Sequence, residues 1–533
     1  MVALAAALGV LLTACSQPPT PSGQSAPGAS AAAAQSGGNL RVGQAADIVS
    51  LDPWNVSDSA SLLVARQVYE TLVGHDTAGL RIVPRLATRW ETSADGRTWT
   101  FTLREGVKFH DGTALDAAAV AFNFERARDA GHPARGKHSG FALFAGRWSA
   151  DGEALLTKVM APDARTVVFT LRSAFGPFLA DLANPSFAIV SPRSVQADPD
   201  GWMLAASRGA AGTGPFRFAS GDWRRDQQLV LERNAEYWQT DERGVPLPYL
   251  DRLTFRVIPD AGTRTAELRA GALDVVRDLP PQEVTAVRGS PNLSLLSRPP
   301  HGVVYLGVTH TRPPLDQLEV RRAVAAAINK QAIVQAVYAG EGKAASQLIP
   351  PGMLGYDDSV TDFLKYDEAA AKKLLAEAGL PRGFETELWY PPPSRADEPD
   401  TRKMAEAIAA DLARVGIKVQ LRAMEAGRSA RDIEEQRFPL YLGERSAASA
   451  DPDDLLVAWW DPQARALLRQ ARIETAESKR AELYKQVSKM LQQQVPRIPL
   501  FHPTPPVATT RKVHGLVPHA TGGEAFTRVS LGR

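Results

Sequence analysis

From Thr98 the chain alternates: Trp99, Phe101 and Leu103 fall on one side, Thr98, Thr100 and Thr102 on the other. That period of two predicts a half-buried strand. The pattern breaks at Arg104-Glu105-Gly106 and again at Asp111-Gly112. Elsewhere the period is helical. "SASLLVARQVYETLVGHD" places Leu62, Ala65, Val68 and Leu72 on one face. Asp116 is set to cap a helix whose apolar face is Ala117, Val120, Ala121 and Phe124. A strand is predicted within 157–172 around Val167 and Phe169, and others in "QQLVLERN" and "LDRLTFRVIP". In "YDEAAAKKLLAEAGLP", Asp367 is the cap, Glu368–Lys372 and Lys373–Glu377 are i,i+4 pairs, and Gly379 is the stop. Helices and strands alternate along the chain, which is α/β character.

Length changes the picture first: 533 residues exceed one core and suggest about two to four domains. The net charge of +2 and the lack of a basic run with interleaved aromatics argue against a nucleic-acid partner. The single cysteine, Cys15, excludes an internal disulfide. It closes "MVALAAALGVLLTAC", too short to span a bilayer and readable as an export segment. Residues 1–15 resemble a bacterial lipoprotein signal, cut before the cysteine whose thiol then takes a lipid. Residues 16–38, rich in Ser, Ala, Pro and Gly, read as a flexible tether. The expected location is the periplasm or cell surface, with membrane attachment through the lipid.

Candidate chemistry is sparse. The sequence has no HExxH, CxxC, GxSxG or P-loop. "GTGPF" (Gly212 to Phe216) reads as a tight turn entering a strand. His301 with His310, or His514 with His519, lack the spacing of a metal site, so no metal or cofactor is expected. Asp451, Asp453 and Asp454 crowd around Pro452 as a solvated turn or a helix N-terminus. Lys108, His110 and Asp111 sit at a turn and read as structural trim.

"LATRWETSADGRTWTFTLREGVKFHDGTALDAAAVAFNFERA", "LERNAEYW", "VYLGVTHTRPPLDQLEVRRAVAAAINKQAIV" and "RIPLFHPTPP" occur in that order. Together they resemble the family 5 extracellular solute-binding proteins, the dipeptide and oligopeptide receptors of ABC importers. The resemblance implies a two-lobed, periplasmic-binding-protein-like α/β fold with an extra subdomain inserted in the first lobe. Lobe one would hold 39–300, with the insert at about 83–210. Lobe two would hold 301–496, and 497–533 would return to lobe one. Chain crossings near His301–Tyr305 and Pro496–Phe501 would form the hinge. The resemblance implies no enzyme activity, a monomer, a peptide or other small solute as ligand, and ABC permease subunits as partners.

The family pattern "GWSADYPDPDDFL" is replaced by "GERSAASADPDDLL". Ala448 stands at the place of the acid that holds a peptide's ammonium group, Ser449 at the tyrosine's and Arg445 at the tryptophan's. Upstream, Glu425 is followed by Ala426 instead of an aromatic. Asp451 is a candidate substitute acid, and Arg445 would suit a carboxylate or phosphate. Ser59, Ser61 and His502 complete the candidate ligand contacts. Peptide capture, capture of an anionic or non-peptide solute, a sensor signalling to a membrane partner, and a hydrolase using Asp451 and Asp453 remain open.

Overall fold

The computed structural model describes residues 36–532 apart from 77–79, 136–140, 142–143, 145–147, 151–152, 199–209, 278, 361–363, 393–399, 426–428, 448 and 457–460. Cys15 and Ala448 lie outside the described residues.

Two large sheets organise the chain. The first has seven strands in the order 216–224, 228–233, 252–257, 39–44, 275–276, 507–510 and 293–296. At its centre Asn39–Gln44 runs parallel to both neighbours, and Leu40 and Val42 are fully buried. The second sheet has six strands in the order 342–344, 497–503, 302–308, 440–446, 385–390 and 418–423. Its central strand, Gly302–Val308, is buried at every position. Tyr305 pairs with Gly443, and Tyr441 pairs with Gly307. A Cβ at Gly307 would sit 2.1 Å from the Tyr441 ring, so each tyrosine lies over a glycine of the next strand. A one-residue slip would drive both rings into side chains, which fixes the register.

A four-stranded sheet, 87–92, 98–103, 166–171 and 156–160 in order, forms the inserted subdomain with the helix Ala117–Arg128. Thr98–Leu103 shows the expected alternation, with Trp99, Phe101 and Leu103 buried. Asp116 caps the helix through Ala119 N at 2.8 Å. The insert is tied to the first sheet's elements by a buried bidentate pair, Arg126 with Asp52, both bonds 2.9 Å. Trp54, Phe124, Trp148 and Phe187 pack together around it.

Several expectations meet a different arrangement. The first helix covers only Ser59–Val68, so Leu72 lies beyond it. The "GTGPF" turn is the reason: Gly214 N donates to Val68 O at 2.9 Å, and a Cβ on Gly212 would lie 2.1 Å from that same oxygen. Tyr69 is extended instead, its hydroxyl donating to Leu51 O at 2.6 Å. Arg497–Pro503, assigned by sequence to the C-terminal return, pairs within the second sheet, and the chain rejoins the first sheet at Val507. The links between the two sheets are therefore 297–301 and 504–506, between strand ends at 296 and 302 and at 503 and 507. Lys108 meets Glu236 at 3.4 Å, His110 contacts Gly214 O at 2.9 Å, and Asp111 accepts from Ser191 at 2.5 Å. His110 thus fastens this segment to the glycine turn.

Candidate functional site

The first helix opens with Asp58, whose side chain accepts from Ser61 N at 2.8 Å. That cap turns Ser61 inward, where its hydroxyl accepts from Val49 N at 2.9 Å. Ser59 stays exposed and borders a cavity of about 280 Å³. The cavity is also lined by Arg66, His75, His301, Gly522 and Ala447. It thus takes walls from the first sheet's elements, from the link at 301 and from the end of the second sheet's strand 440–446. A larger cavity, about 400 Å³, lies wholly among 328–366 and touches only one lobe. A hinged binding protein closes on its ligand between lobes, so the shared cavity is the candidate site.

Its floor is basic. Arg66 reaches within 3.4 Å of His519 Nε2. The His519 ring lies 5.7 Å from that of His75, tilted by 56°, and its Nδ1 lies 2.9 Å from Thr521 Oγ1. Burial, and then Arg66, push His75 down to about 4, against the Ser449 backbone carbonyl, which favours its charged form. Burial, and then Arg298, push His301 to about 4. Glu524 is fully buried and accepts from Arg277 at 2.7 Å and Arg298 at 2.6 Å. Burial raises its pKa, but the two guanidiniums outweigh that and hold it at about 2. Glu70, at the edge of an adjoining cavity of about 80 Å³, accepts from Trp238 at 2.9 Å, Thr213 at 2.9 Å and Tyr237 at 3.0 Å. Burial raises it above the usual carboxylate value despite these donors.

The structure separates the remaining sequence candidates. Arg445 is half-buried and its Nη1 lies 3.4 Å from Asp454 O. Ser449 is buried and donates to Asp454 Oδ2 at 3.1 Å. Asp451 is not a free acid: Arg480 Nη2 binds its oxygens at 2.9 and 2.8 Å, and the Tyr484 hydroxyl adds a bond of 3.1 Å. Asp453 binds Arg472 at 2.8 Å. The carboxylates at 451 and 453 are therefore buried buttresses and not a solvated turn, although Asp453 does begin a short helix, Asp453–Leu456. Glu425 is exposed. His502 is buried, with Nδ1 2.9 Å from Gly302 O, and faces the second sheet. Sequence reasoning missed Arg66, His75 and His519. The available signal was a charge at Arg66, one turn after Leu62 and beside the apolar stripe.

Residues 81–466 match the bacterial extracellular solute-binding proteins, family 5 middle region. This chain belongs to that family. It is 33% identical to the di/tripeptide-binding protein 1 of Pseudomonas aeruginosa over 491 residues, covering 88% of this chain and 89% of the relative. It is 32% identical to heme-binding protein A of Haemophilus influenzae, over 88% of this chain and 87% of the relative. Its fold superposes on the structure of HbpA2 from Haemophilus parasuis with a TM-score of 0.84 at 32% identity, covering 93% of this chain and all of the other. These relatives are solute-binding proteins and not enzymes.

Proposed function

We propose that this protein captures a short peptide or peptide-like solute between its two lobes and delivers it to the permease of an ABC importer, while a lipid on Cys15 holds it at the membrane outside the cytoplasm. The observation that carries this reading is the cavity shared by Ser59, Arg66 and His75 on one side and Ala447 on the other. Its size, about 280 Å³, lies at the small end of ligand pockets, which run from roughly 300 to 1,000 Å³, and suits a short ligand. The di/tripeptide-binding relative supports the same class. In this reading lobe one comprises 39–300 with its insert at about 83–210, lobe two follows from 301, and the chain then returns to lobe one. The protein acts as a monomer without catalysis.

Ser59 lines the cavity, and in the sequence Ala448 stands where family members carry an ammonium-binding acid. The test is mass spectrometry of what co-purifies with the protein, followed by calorimetry against di- and tripeptides, their N-acetylated forms and hemin. Peptide binding at micromolar affinity or better supports the reading. Ala448→Asp should shift preference toward free amino termini. Binding of hemin alone would overturn it.

A further inference from the structure

Several arginines among the described residues are matched to carboxylates, and a half-buried one that lines the cleft is not. Arg126 holds Asp52, Arg277 and Arg298 share Glu524, and Arg480 holds Asp451. Arg66 makes no ion pair among the described residues. Its Nε is buried without a hydrogen-bond partner, and its Nη1 meets only the imidazole of His519. The chain makes room for this side chain: a Cβ at Gly523 would lie 2.6 Å from Arg66 Nε. Gly523 and Arg66 line the same cavity.

The surroundings deepen the imbalance. The charges acting on Arg66 are Arg85 and Arg277, which oppose it, and Glu524, which already binds Arg277 and Arg298. Glu70 is taken by Trp238, Thr213 and Tyr237, and Asp76 is paired with Arg81 at 2.8 Å. Burial, and then Arg85, bring Arg66 down to about 10, the direction expected of a cation lacking its anion. A guanidinium removed from water is costly unless it is paired. Such a group in a ligand cavity is stabilised by the ligand.

We infer that Arg66 is the anchor for a carboxylate of the bound solute, and that the cleft selects small solutes carrying net negative charge, such as acidic di- and tripeptides. The planar fork of Arg66 matches a carboxylate in two-point geometry, and His519 and His75 stand beside it as neutral imidazoles. The inference rests on the peptide-capture reading for its ligand class. It moves the principal charged anchor from the second lobe, where Ala448 lacks the acid, to the first.

The test uses the full chain stripped of ligand by unfolding and refolding. Calorimetry compares Ala-Ala, Ala-Glu, Glu-Glu and their C-terminal amides for wild type, Arg66→Gln and Arg66→Lys. Glutarate serves as a probe that is an anion but not a peptide. Wild type is expected to prefer the acidic peptides. Arg66→Gln should weaken them about 30-fold or more, as for loss of one partner of a buried charge pair, and change the C-terminal amide of Ala-Ala little. Arg66→Lys should recover part of the loss. The ligand-free Arg66→Gln protein should melt no lower than wild type, since it sheds a half-buried charge that makes no ion pair, whereas a purely structural arginine would lower the melting temperature. If no peptide binds but glutarate does so through Arg66, peptide capture fails and the anion anchor stands. Equal affinity of wild type and Arg66→Gln for the acidic peptides, or no binding of any anion by wild type, overturns the inference.

Discussion

The amide of Gly176 donates to the carbonyl of Arg472 at 2.7 Å, joining the inserted subdomain to a helix of the second lobe. The approach admits no side chain: a Cβ at Gly176 would lie 2.1 Å from Glu474 O and 2.6 Å from Arg480 Nε. Gly176→Ala should therefore disfavour this approach of residue 176 to the helix at 462–473, which we take to tighten when the lobes close on ligand. Ligand affinity is expected to fall about tenfold or more, the equivalent of ~1.4 kcal/mol, with little change in the melting temperature of the ligand-free protein. Small-angle scattering checks the cause. Wild type should contract on saturation with ligand as the lobes rotate about 297–301 and 504–506, and the variant should contract less.

Behind that contact stands Arg480, which binds Asp451, Tyr484 at 2.9 Å and the carbonyl of Ala471 at 3.1 Å. Removing one partner of such a buried pair leaves the other charge stranded. Asp451→Ala should cost about 3–5 kcal/mol in chemical denaturation. Asp451→Leu combined with Arg480→Met should recover most of that loss. If Asp451→Ala folded with unchanged stability, the pair would not be the support described above.

Acid should destabilise the protein in two stages. Burial, before any other cause, holds His75, His110, His301 and His502 at about 4, below the unfolded value of about 6.5. The unfolded chain binds these protons first, so this part of the stability is complete above pH 6.5 and is lost as pH falls from there toward 4. At pH 5.5 the loss is roughly 1 kcal/mol per histidine. Glu524, at about 2, adds a second window: its contribution is complete above its unfolded value, about 4.3, and is lost as pH falls toward 2. Urea titrations between pH 4 and 8 should show the upper window, and His502→Gln should reduce it.

Attachment is tested separately from binding. If Cys15 takes the lipid, Cys15→Ser should move the protein from the membrane fraction to the soluble one, or leave it unprocessed. A variant that fractionates and matures like wild type would falsify the anchor. Binding of ligand by the soluble variant should be unchanged.

Local order was legible because it depends on neighbours in sequence. The alternation through Trp99, Phe101 and Leu103, and the caps Asp116 and Asp367, are each read from a few adjacent residues and are found in place. Even there, tertiary partners intervene. Glu368 meets Tyr366 at 2.5 Å and Arg414 at 3.5 Å, whereas Lys372 was its expected partner. The first helix stops where Gly214 takes the Val68 carbonyl, a contact that no periodicity within the helix could reveal. The cleft is the extreme case. Arg66 and His519 meet across 453 positions, and Glu524 joins Arg277 to Arg298 from the far end of the chain. The chemistry of such a site is fixed by which strands lie side by side, and spacing along the chain does not carry that information.

The position of Val507–Thr510 has a consequence for how the molecule is made. This strand lies between Val275–Val276 and Leu293–Leu296, pairing with both. Every residue before 507 can be synthesised while those two strands still present unpaired edges. The first sheet is then completed only once 507–510 is in place. Truncation upstream of Val507 would leave open edges that invite association with other chains, so the strand at 507–510 decides whether the first sheet becomes a finished body.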